Sequence, residues 1–72
     1  MISSEELNKI LKRRRAALTR AKNTGDPQKV IKECEAALAE FDNKNAWPDC
    51  WQTWEREKED AQLQLKYAHK GF

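Results

Sequence analysis

This chain of 72 residues is short of the residues on which several protein classes depend. Two cysteines, Cys34 and Cys50, are too few for a disulfide framework or a thiolate metal centre. A single histidine, His69, lies close to the C-terminal end and reads as a solvated or capping residue. Without a second histidine, a nucleophile beside a base or ligands at workable spacing, the sequence assembles no catalytic constellation and holds no cofactor. No apolar run approaches the roughly 18 residues of a membrane span, and no basic start followed by an apolar stretch marks a secretory signal. The expected location is therefore the cytosol or nucleus. Val/Ile/Thr runs of period two are missing, as are internal repeats and low-complexity tracts, which leaves no strand signal.

Charge is abundant, at 36% of residues, but nearly balanced, with 14 Lys or Arg against 12 Asp or Glu. That balance excludes a uniformly basic nucleic-acid binder. The imbalance is local: residues 1–25 carry seven Lys or Arg against Glu5 and Glu6, a net +5. A chain of this length forms one domain over residues 1–72, whole or cut from a longer protein, and must build a small, dense core. Trp47, Trp51 and Trp54 suit that need, because an aromatic side chain buries about 150–250 Å².

Three helices are legible from their ends. "SSEE" at residues 3–6 fits a capping box with Ser3 as N-cap, and Leu7, Ile10, Leu11, Ala17, Leu18 and Ala21 recur on one face of a helix over 4–22. "NTGDP" at 23–27 ends it and starts the next, with Gly25 in the turn, Asp26 as cap and Pro27 at the first helical position. Helix 2 is expected over 27–42, burying Val30, Ile31, Cys34, Ala37, Leu38 and Phe41. After the polar turn "DNKN", Pro48 opens a third helix over 48–70 that Gly71 ends. Trp47, Trp51, Trp54, Ala61, Leu65 and Ala68 share its inner stripe. The fold class is all-α, a small antiparallel three-helix bundle.

Candidate functional positions are few. Cys50 falls in the first turn of helix 3, but no basic residue adjoins it in sequence, so a reactive thiol is disfavoured. A disulfide to Cys34 is disfavoured too, since in an antiparallel pair the two lie about 10 Å apart along the axis. "KRRR" at 12–15 heads a basic helix 1 on which Lys9, Lys12, Arg13, Arg15, Arg20 and Lys22 spread over the whole solvent side. A solvated, partner-neutral face accounts for them as well as contact with phosphate or an acidic protein, or a nuclear-import signal, and a nucleic-acid-binding helical domain using this basic helix 1 is the runner-up function.

Two other features interrupt the pattern. Arg14 and Lys58 stand inside the apolar stripes of helices 1 and 3, at an expected common height. Either their stems cover apolar surface while the heads reach water, or they line a groove floored by Cys34 and Ala37 that admits an acidic segment. Leu63 and Tyr67, four apart, point 160–200° away from the tryptophan stripe and suit a partner helix. The leading expectation is a non-enzymatic protein-interaction module. Its site residues are Arg14, Lys58, Leu63 and Tyr67, its partner is an acidic or amphipathic protein segment, and neither metal, cofactor nor membrane is involved.

Overall fold

The first two helices start and stop where nearby groups supply the bonds that a helix end lacks. A computed structural model describes residues 2–70, with 69 and 70 as helix backbone alone. The expected stop at Gly71 and the role of the His69 side chain therefore lie outside the described residues. Three helices are present: α1 (Ser4–Asn23), α2 (Pro27–Asn43) and α3 (Gln52–Lys70).

At the start of α1 the Glu6 N–H donates to Ser3 Oγ at 3.1 Å, so the serine caps as expected. At its end Gly25 takes φ +74°, and its N–H donates to the Lys22 carbonyl at 3.1 Å. The Thr24 hydroxyl donates to the Ala21 carbonyl at 2.6 Å and accepts the Asp26 N–H at 3.2 Å, relaying a bond that a Schellman turn makes directly. Asp26 then accepts the Gln28 N–H at 3.0 Å and caps α2, with Pro27 at the first position. These contacts explain how three residues suffice to reverse the chain.

The α2–α3 connection departs from expectation. Asn45, at φ +50°, closes α2 in a full Schellman motif, with the Ala46 N–H on the Phe41 carbonyl at 2.9 Å and the Asn45 N–H on that of Asp42 at 3.0 Å. Residues 48–54 next form bonds of three-residue spacing, Trp51 to Pro48, Thr53 to Cys50 and Trp54 to Trp51, so the α-helix begins at Gln52 and not at Pro48. The tighter winding moves Trp47 off the inner stripe. It is 43% exposed, though its ring still meets those of Phe41 at 6.1 Å and Trp51 at 5.3 Å.

The core runs along α2. Cys34, Ala37 and Phe41 are buried there against Ile10, Leu18 and Ala21 of α1 and against Trp54 and Ala61 of α3. Phe41 and Trp54 meet edge to face with centroids 5.2 Å apart. Both neighbouring helices run antiparallel to α2 and pack on it, whereas among the described residues no Cα of α1 approaches one of α3 within 8 Å. Trp54 is fully enclosed. Beyond Ala61 the inner stripe of α3 loses its partners: Leu65 is half-buried and Ala68 exposed. Pro27 and Gln64 line one cleft, so the last six residues of α3, about 9 Å of helix, reach past the start of α2. Among the described residues no helix is long and apolar enough to cross a membrane.

Candidate functional site

Arg14 and Lys58 do not form a layer. Arg15 reaches Cys50 and Lys22 reaches Glu57, two contacts that both span 35 residues and so set the register of α1 beside α3. Arg14 and Lys58 reach positions 40 and 35 of α2, five residues and about 7.5 Å apart along its axis. Each cation has its own carboxylate on α2. Arg14 Nε donates to Glu40 Oε1 at 2.7 Å, and Lys58 Nζ lies 3.5 Å from Glu35 Oε2. The groove expected over Cys34 and Ala37 is closed as well, since neither residue retains any solvent exposure.

Glu40 is the centre of the one dense ionic cluster among the described residues. Its second oxygen accepts Arg13 Nη2 at 2.7 Å, and Lys44 Nζ lies 3.7 Å away. Burial opposes ionisation of this carboxyl, but the hydrogen bonds and charges of Arg14 and Arg13 outweigh it and hold it below its usual range. The Glu40 side chain is 13% exposed and that of Arg14 22%, so this pair is largely out of water; Arg13, at 63%, is not. The cluster knits α1 to α2 and leaves no vacant position for a ligand charge.

The basic face of α1 is similarly divided. Arg13 and Lys22 are committed to Glu40 and Glu57, and Arg15 Nη2 donates to Cys50 Sγ at 3.3 Å. That last contact gives Cys50 the basic neighbour that is missing in sequence. Lys9, Lys12 and Arg20 remain exposed without a carboxylate within 4 Å among the described residues, Lys12 about two turns and Lys9 about three turns from Arg20. The cations do not make a continuous stripe. Both cysteines are free thiols, Cys34 deep in the core and Cys50 near the surface. Among the described residues no three His, Cys, Asp or Glu side chains gather to hold a metal ion.

Leu63 and Tyr67 occupy the face that the helical wheel assigns to them. They are 47% and 65% exposed, the two most exposed large apolar side chains among the described residues. Leu63 also lines a shallow groove of about 300 Å³ with Glu59, Gln62 and Lys66. The pair therefore sits on the free side of α3 in its C-terminal half, with one acidic and one basic side chain at its margin.

A second feature was not legible from one helix at a time. Arg20 of α1 meets Lys29 and Lys32 of α2 across a groove of about 370 Å³ floored by Ala17 and Ala21, with Glu33 at its edge. Lys29 and Lys32 lie outside the apolar stripe of α2, and only the antiparallel hairpin brings them beside Arg20. Comparison of the chain with protein-family models, with curated proteins and with solved structures gives no match to any of them.

Proposed function

We propose that this protein is a non-enzymatic interaction module of the cytosol or nucleus that receives an amphipathic segment of another protein on the outer face of α3. The observation that carries this is the exposed Leu63/Tyr67 pair on the C-terminal half of α3. Apolar side chains four residues apart on a helix are spaced to receive the i and i+4 anchors of a second helix. Glu59 and Lys66 at the margin supply opposite charges that fix direction and select partners more than they add affinity. Arg14 and Lys58 are poorer candidates, because displacing Glu40 or Glu35 would precede any contact with an acidic partner.

The test joins binding to position. A photocrosslinking residue in place of Lys66 should form an adduct with the partner, and the same residue in place of Lys12 should not. Leu63→Ser with Tyr67→Ser should abolish the adduct while changing stability by no more than about 0.5 kcal/mol, as expected of exposed positions. An adduct formed equally from position 12, or undiminished by the double substitution, would refute the assignment.

A further inference from the structure

From the groove between α1 and α2 we infer an anion site, built by Arg20, Lys29 and Lys32, for a phosphate monoester. Among the described residues five cations of this chain, Arg13, Arg14, Lys22, Lys44 and Lys58, lie within 4 Å of a carboxylate, whereas the three that line this groove do not. They come from two different helices and line one concavity.

The positive end of a helix dipole favours carboxylates in the first turn, yet the first turn of α2 has none and carries Lys29. Asp26 caps this end and its carboxylate offsets the dipole, so the positive character of the groove comes from the three side chains.

Charge and shape select the ligand class. Three cations less the carboxylate of Glu33 leave a formal +2. A phosphate monoester brings about −1.5 to −2 and three acceptor oxygens, whereas a carboxylate would leave half the charge unmatched. The Arg20 guanidinium offers a planar fork to two oxygens, and the ammonium groups approach the rest as point charges. Ala17 and Ala21 keep the floor low, and a volume of about 370 Å³ holds the phosphoryl group with the first atoms of whatever bears it. The ester can belong to a phosphorylated peptide or to a small organic phosphate, and both present the same group to the groove.

The experiment is a titration of the whole chain, followed by amide chemical shifts, with three probes: O-phosphoserine inside a short neutral peptide, a sugar phosphate, and the unphosphorylated peptide. Both phosphates should produce saturable shifts centred on residues 17–33, and the unphosphorylated peptide none. At least tenfold tighter binding of the phosphopeptide assigns the site to a phosphoprotein, and the reverse order assigns it to a metabolite. Arg20→Gln with Lys29→Gln and Lys32→Gln should weaken binding by tenfold or more with the helical spectrum intact. Arg56→Glu, a larger single charge change on exposed α3, should leave it unaltered. The inference fails if the shifts are unsaturable or spread over the surface, or if the triple and Arg56 variants weaken binding alike. It rests on different residues from those of the α3 face, so either assignment can fail without the other.

Discussion

Replacement of Arg14 by Met should destabilise the domain, and replacement of Glu40 by Met in the same molecule should restore most of the loss. Arg14 supplies a charge-assisted hydrogen bond of 2.7 Å to a carboxylate that is only 13% exposed. Such a bond contributes about 1.5–3 kcal/mol. Arg13 and Lys44 continue to face Glu40 after the substitution, but from solvent, where an ion pair contributes about 0–1 kcal/mol. A domain below about 80 residues has roughly 3–5 kcal/mol in total, so Arg14→Met removes about half of it. The melting temperature should fall by about 6–24 °C.

Glu40→Met alone strands the Arg14 guanidinium against apolar neighbours and should cost a similar amount. With both replaced, no charge remains to be solvated, and two flexible apolar side chains fill the space of the pair, an exchange that is often neutral or stabilising. Urea denaturation of the four proteins at neutral pH, followed by circular dichroism, measures the coupling, which should be about 2 kcal/mol in favour of the double variant over additivity. Strictly additive losses, or a neutral Arg14→Met, would show that the cluster contributes nothing to the fold. Acid adds a further check. Because the folded carboxyl titrates below its unfolded value, its contribution is complete above the ordinary glutamate range and vanishes as pH falls through the folded value. Glu40→Met lacks that part of the acid sensitivity.

The aromatic residues should separate sharply. Trp54→Ala removes a fully enclosed ring and should cost about 3–5 kcal/mol, enough to unfold the chain, while Trp47→Ala, which loses two ring contacts at the surface, should cost about 1–2 kcal/mol and leave a cooperative melt. Equal losses would contradict the burial described here. The two thiols should differ as well: burial, aided by Glu57, pushes Cys34 up to about 11, so alkylation at neutral pH should modify Cys50 and spare Cys34 until the protein unfolds. The same shift means that Cys34 stabilises fully below its unfolded value of about 9 and loses that contribution as pH rises to about 11. This amounts to about 3 kcal/mol, which Cys34→Ala should delete from a comparison of stability across that interval.

Helix periodicity and end signals are local properties, and they carried most of the fold. Ser3, Asp26 and Pro27 each act within four residues of their own position, so their roles were readable without tertiary context. Pro48 misled because proline fixes its own φ but does not determine whether the next turn winds with three- or four-residue spacing. Asn45, in the left-handed conformation that ends α2, was the better signal in that stretch. Trp47 belonged to the linker and not to the wheel on which it was counted. The exposure of Leu63 and Tyr67 followed from angle alone. The partners of Arg14 and Lys58 did not, because they depend on the axial register between helices, and five residues of α2 separate the two carboxylates that they reach. The Arg20/Lys29/Lys32 groove was hidden for the same reason.

The absence of close backbone approach between α1 and α3 also bears on how quickly the chain folds. Among the described residues close backbone packing joins helices that are consecutive in sequence, and the longer loops between α1 and α3 are closed by side-chain contacts alone, so most of the packing forms at a low loop-closure cost. Such a topology folds on the microsecond to millisecond scale. The hairpin of α2 and α3, which holds the Phe41–Trp54 pair, contains the larger ring contacts and can form before α1 arrives. Opening should run in the opposite order, with α1, held by Ile10, Leu18, Ala21 and the Glu40 cluster, leaving first, and native-state hydrogen exchange should then find its amides opening at a lower free energy than those of α2.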